Sequence, residues 1–135
     1  AENRRNLALL ATYTSEKEIE DAHVFALRDP LEILRETEAK QQAVEKKRAE
    51  LKAQAEKLGA KPVPDKLRQE LAEIELEAKS ITEILDAKRR DVQLINDRYE
   101  EDRRRFIELQ KQRAAMLNAN GVSTVSPAAG ATKRN

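Results

Sequence analysis

The one histidine, His23, is the first place to look for chemistry. A zinc site draws on several soft ligands. There is no second His and no Cys, so no multi-His or thiolate site can be built. Its spacing puts His23 on an apolar helix stripe, near Tyr99 or Phe106, where a packed structural role is the simpler reading. Carboxylates are plentiful, as in Glu100-Glu101-Asp102. Acid–base catalysis by a carboxylate pair needs a pocket that drives their pKa values apart. A pair of helices offers none, so these acids read as a solvated face. Asp102 and Lys88 differ because they fall on the apolar stripe, where polar residues fix register or mark a local opening. Arg103-Arg104-Arg105, Lys88-Arg89-Arg90 and Lys46-Lys47-Arg48 could hold phosphate, but glutamates flank each run. No Gly-rich phosphate loop and no nucleophile elbow is present. The chain therefore reads as non-enzymatic, with no catalytic, cofactor-binding or metal-ligating residue and no small-molecule substrate.

Composition points the same way. Of 135 residues, 38% are charged, and 26 Lys+Arg nearly match 25 Asp+Glu, for a net charge of +1. That balance speaks against a general nucleic-acid binder, an acidic tail or a polybasic membrane anchor. Aromatics make up only 3%, too few for the core of a compact globule of this length. Ala, Glu, Lys, Leu and Arg dominate, as in long helices and coiled coils. No apolar run approaches the roughly 20 residues that cross a bilayer. The chain opens Ala1-Glu2-Asn3, with no Met and no signal-like segment, which points to a processed product or an excised fragment.

The elements that carry these residues can be placed. Residues 1–13, with Leu7, Leu9 and Leu10, form a short helical segment. Residues 15–58 form a long helix, 59–65 a turn, 66–118 a second long helix, and 121–135 a disordered tail rich in Gly, Pro, Ser, Thr and Ala. Ser15 followed by Glu18 has the spacing of a capping box, in which Ser15 accepts the Glu18 amide and Glu18 reaches back. Gly59 can take the left-handed conformation that ends a helix, and Pro62 and Pro64 forbid continuation. Asp65 is placed to cap the second helix. Pro30 should kink or break the first.

The second helix repeats apolar residues every seven positions: Leu67, Ile74, Ile81, Ile95, Leu109 and Met116, interrupted by Lys88 and Asp102. Interleaved are Leu71, Ala78, Leu85, Val92, Tyr99 and Phe106, ending at Arg113. Twelve of these fifteen positions are apolar, a sustained heptad stripe. The first helix has a weaker stripe through His23, Pro30, Thr37, Val44, Leu51 and Leu58, interleaved with Leu27, Leu34, Gln41, Arg48 and Ala55. A seven-residue turn makes the other arm the nearest partner, so the fold class is all-α, a long antiparallel coiled-coil hairpin. The preferred register sets Leu58 by Leu71, Leu51 by Ala78, Val44 by Leu85 and Gln41 by Lys88. A shift of one heptad is the competing register.

Apolar residues off these stripes carry the functional reading. Val24, Phe25, Leu31 and Ile33 lie on the first helix, and Leu76, Ile84, Leu94, Ile107 and Leu117 on the second. Two helices cannot cover them all. Residues 2–12 folding back, a homodimer or a protein partner must contribute. Phe25, Ile33, Ile84, Leu94 and Ile107 are the candidate interaction residues, with Phe25 and Ile107 forming a patch near the open end.

One stretch has a familiar cast. Leu9-Leu10-Ala11-Thr12-Tyr13-Thr14-Ser15-Glu16-Lys17-Glu18-Ile19 resembles the entry segment of the C-terminal coiled coil in proteobacterial cell-envelope proteins of unknown function. The turn Gly59-Ala60-Lys61-Pro62-Val63-Pro64-Asp65-Lys66-Leu67 has a counterpart there that is one residue shorter. So does the closing stretch Ile95-Asn96-Asp97-Arg98-Tyr99-Glu100-Glu101-Asp102-Arg103-Arg104-Arg105-Phe106. The likeness runs over about residues 4–110. Those proteins carry a signal peptide and a small N-terminal β domain, and no such domain is found here. The resemblance implies a periplasmic setting, whereas the lack of Cys fits periplasm and cytoplasm equally. The resulting expectation is a structural or protein-interaction module. The alternatives are a nucleic-acid-binding helical hairpin and a periplasmic adaptor or chaperone hairpin, although the tip motif of efflux-pump adaptors is not evident at 59–66.

Overall fold

The computed structural model describes the backbone of residues 2–131 and side chains through Asn120. Three helices follow one another: α1, Glu2–Thr12; α2, Glu16–Lys57; and α3, Asp65–Ala131. There is no strand among the described residues. The tail expected over 121–135 concerns residues beyond the last described side chain, and 132–135 lie outside the described residues altogether. Contacts divide the chain into two compact units, Val24–Asn96 and Ala1–His23 with Asp97–Asn135.

In the 24–96 unit, α2 and α3 pack as an antiparallel hairpin around the predicted stripes. Val44, Leu51, Leu67, Ile74, Ile81 and Leu85 are buried, with Leu34, Ala55, Leu58, Val63, Leu71 and Ala78 packed against them. Each large aliphatic side chain removed from water stabilises by about 1.5–3 kcal/mol, and this row holds the arms together. Ion pairs flank it. Arg89 Nη2 lies 3.4 Å from a Glu38 carboxylate oxygen and Lys52 Nζ lies 3.6 Å from one of Glu75. The steps from Glu38 to Lys52 and from Arg89 to Glu75 are both 14 residues in opposite directions, so one antiparallel register spans both pairs. It places Leu51 between Ile74 and Ala78, and Val44 between Ile81 and Leu85, in keeping with the preferred register. Arg48 adds a bidentate contact to Glu75, at 2.7 and 3.0 Å, which holds the Glu75 carboxyl below its ordinary range. Lys88, expected beside Gln41, is half-buried with its ammonium 3.5 Å from Asp91. Thr37 is the buried polar residue of the unit. Its hydroxyl donates to the Ile33 carbonyl at 2.7 Å, so it enters the core satisfied.

Two local expectations are corrected. Of the kink or break expected at Pro30, the break is absent, because α2 runs from Glu16 to Lys57 without interruption. A single proline removes one backbone donor, and residues on both sides remain held by the rest of the helix. Asp65 does not cap α3 but is its first residue, with its carboxylate on the Arg68 guanidinium. The Pro64 carbonyl accepts the Arg68 N–H at 3.0 Å, so Pro64 holds the cap position. Asp65 still suits the positive end of the helix dipole.

The turn behaves as its residues dictate. The Gly59 N–H donates to the Glu56 carbonyl, and Gly59 takes φ = 59°. An added Cβ would meet no atom within 4 Å, so the cost of a side chain there is purely backbone strain. Gly59→Ala should therefore destabilise the hairpin by about 1 kcal/mol, the penalty of left-handed backbone for an L-residue. Urea denaturation followed by helicity measures it, and an unchanged midpoint would contradict it.

Candidate functional site

The unit formed by α1, the start of α2 and the later part of α3 is built around Leu9, Ile19 and Phe106. Ile19 and Phe106 are each only 1% exposed. Leu10, Tyr13, Tyr99 and Leu109 pack against them. Folding back of residues 2–12 was expected through Leu7, Leu9 and Leu10. Leu9 and Leu10 do this, whereas Leu7 is 69% exposed. Leu7 lies 200° around the helix from Leu9, so both cannot face the same core.

The chain between α1 and α2 is shaped by side chains. Thr12 Oγ1 donates to the Ala8 carbonyl at 2.7 Å, and the Tyr13 N–H donates to Leu9 at 3.0 Å. The Glu18 N–H donates to Ser15 Oγ at 3.2 Å, the first half of the capping box. The second half is displaced by one residue. Glu18 accepts from the Thr14 N–H and the Thr14 hydroxyl, each at 2.8 Å, and not from Ser15. The Thr14 amide and then its hydroxyl hold the Glu18 carboxyl below its ordinary value of 4.5. A carboxyl whose pKa is lowered by folding contributes stability above its unfolded pKa, and that contribution is lost as pH falls through the folded one. The Thr14 amide proton resonance should therefore titrate with a midpoint below 4.5. A midpoint at or above that value would contradict the contact.

His23 stacks on Tyr99, with ring centroids 5.2 Å apart and planes 10° from parallel. Tyr99 is one of the two neighbours expected of it. A shallow cleft of about 320 Å³ is lined by Arg5, Thr12, Tyr13, Arg98, Asp102 and Arg105, among others. Burial, with the nearby Tyr99 and Asp102, pushes the Tyr13 phenol up. Asp102, read as a stripe residue, is half-buried at this edge. No cluster of His, Asp and Glu able to hold a metal ion occurs among the described residues.

Several residues of the basic runs are paired with carboxylates. Arg103 reaches Glu100 and, at 3.2 Å, Glu16. Arg104 pairs with Glu101, and Arg105 with Glu2, with Asn6 at 3.2 Å and with Glu101. Arg48 and Arg89 are paired as described above.

The off-stripe apolar residues are distributed over both units. In the 24–96 unit, Phe25 is 71% exposed and Leu94 is 66% exposed, and Ile33 and Ile84 are exposed as well. The Arg28 guanidinium sits 5.7 Å over the Phe25 ring, which screens one face of it. Val24, Leu31 and Leu76 extend this exposed set, and Leu76 and Leu94, 18 residues apart, point in the same direction from α3. Ile107 belongs to the other unit and is half-buried. Met116 and Leu117 are exposed there too.

Fold and surface together define an all-α helical hairpin with an apolar set outside its core. No protein-family model, no curated protein and no solved structure matches the chain. No helix among the described residues is long and apolar enough to cross a membrane.

Proposed function

We propose that this chain is a non-enzymatic structural and protein-interaction module, which presents the off-stripe apolar face of its hairpin to a protein partner or a second copy of itself in the bacterial envelope. The observation that carries the reading is the exposure of Phe25, Ile33, Leu76, Ile84 and Leu94 around a core already complete without them. An ordinary surface scatters single apolar residues, and an interface draws on a larger exposed apolar set such as this one. The envelope setting rests on the resemblance of the 9–19, 59–67 and 95–106 segments. Residues of the three basic runs already paired with glutamates weigh against the nucleic-acid hairpin, because a phosphate would have to displace them.

The test is static light scattering at high micromolar concentration, alone and with added cell-envelope extract. Wild type should exceed monomer mass in at least one condition. Ile84→Glu with Leu94→Glu should return it to monomer while helicity stays unchanged. A clean monomer throughout, indifferent to the substitutions, would remove the physical basis of the proposal.

A further inference from the structure

The two chain reversals of this protein are built differently. At 59–65 the reversal is written into the backbone, by Gly59 at positive φ and by Pro62 and Pro64. Between α1 and α2, residues 11–18 read Ala-Thr-Tyr-Thr-Ser-Glu-Lys-Glu, with neither Gly nor Pro. Nothing there forbids a continuous helix. The corner is kept by four side-chain bonds: Thr12 to Ala8, the Glu18 N–H to Ser15, and the Thr14 amide and hydroxyl to Glu18. A straightened segment would exchange the last three for backbone bonds from the N–H groups of residues 14–18 to the carbonyls of residues 10–14. Straightening therefore leaves no backbone donor of the corner without a partner.

They differ in where α1 ends up. In the folded-back form, Glu2 pairs with Arg105 and Glu16 with Arg103, so residues 14 apart in sequence reach one turn of α3. In a straight helix those residues stand about 21 Å apart. Leu9 and Glu2 would leave Ile19, Phe106 and Arg105 of their own chain. The complementary cradle that then remains for α1 is the same one, vacated, on another copy. In the straight form α1 continues α2, and Leu9 and Leu10 lose their packing unless another such cradle receives them.

We propose that α1 exchanges between two copies of this chain, with the 13–15 corner as hinge, so that Leu9, Asn6 and Glu2 of each copy complete the Ile19–Phe106–Arg105 cradle of the other. Every α1 contact is conserved in the exchanged dimer, and only the hinge differs, which makes exchange a low-cost route to association. The proposal is independent of the hairpin face around Ile84.

Two substitutions act on the hinge in opposite senses. Ser15→Ala removes the cap and favours helix, so it should raise the dimer fraction after refolding at about 1 mM by about tenfold, the scale of a lost N-cap. Glu16→Pro suits the first residue of α2 but would clash with the Thr12 carbonyl in a straight helix, so it should abolish exchange. Glu16→Gln controls for the lost Arg103 pair. The readout is light scattering together with an isotope-filtered cross-peak between Leu9 methyls of a labelled copy and the Phe106 ring of an unlabelled one. The expected result is a cross-peak in Ser15→Ala that is absent in Glu16→Pro and unaffected by Ile84→Glu. Absence of the cross-peak in Ser15→Ala, or a dimer that survives Glu16→Pro, would overturn it.

Discussion

Phe106→Ala should destabilise the α1-containing unit by about 3–5 kcal/mol, the usual cost of truncating a buried Phe. Phe106 is almost fully enclosed and shares its cluster with Leu9 and Ile19. The substitution leaves a cavity facing α1, whose one buried residue is Leu9. An isolated helix of this length is marginal in water. The loss should therefore fall on α1, with the 24–96 core retained, because those residues pack in a separate cluster. Hydrogen exchange distinguishes the outcomes. Amides of 6–12 should approach unprotected rates while those of 44–51 and 74–85 remain protected. Uniform loss across both sets would mean that the two clusters melt as one.

Leu85→Ala should cost about 2–5 kcal/mol in hairpin stability, whereas Leu94→Ala should change it by under about 0.5 kcal/mol. Both are leucines on α3, nine residues apart. Leu85 is 1% exposed in the row that joins the arms, and Leu94 projects from α3 at 66% exposure. The comparison separates the residues that hold the fold from those left for a partner. Denaturant midpoints followed by helicity provide the measure. Equal effects would mean that Leu94 is buried in the folded chain and would remove it from the interaction face.

The arms and their reversal were legible in the residues because each signal has one dominant cause. A stripe repeating every seven positions on α3 admits few alternatives, and Gly59 before two prolines admits one. The features that escaped are those where two causes compete. Ile19 lies one position off the α2 stripe, yet it is among the most buried side chains. Near α1 the helix must face two neighbours, so its apolar face is wider than a coiled-coil seam. The pairing of Ile19 with Leu9 and Phe106 is the signal that a third helix leaves. Glu18 chose Thr14 over Ser15 because Thr14 offers it both an amide and a hydroxyl. Asp65 chose Arg68, an (i, i+3) neighbour, and Pro64 supplied the cap carbonyl. Pro30 carries a local cost of about 3 kcal/mol or more, which the rest of a 42-residue helix offsets. Of the five candidate interaction residues, four are exposed and Ile107 is half-buried.

The most direct test of the interaction reading is covalent footprinting of Phe25, Leu76, Ile84 and Leu94 in intact cells and in dilute purified protein, with a carbene reagent that labels any exposed side chain. The account predicts strong labelling of all four in dilute solution and several-fold protection of Leu76, Ile84 and Leu94 in cells, with Leu7 labelled equally in both. Identical labelling of the four in cells and in solution would mean that nothing covers this face where the protein works, and would contradict its role as an interaction module.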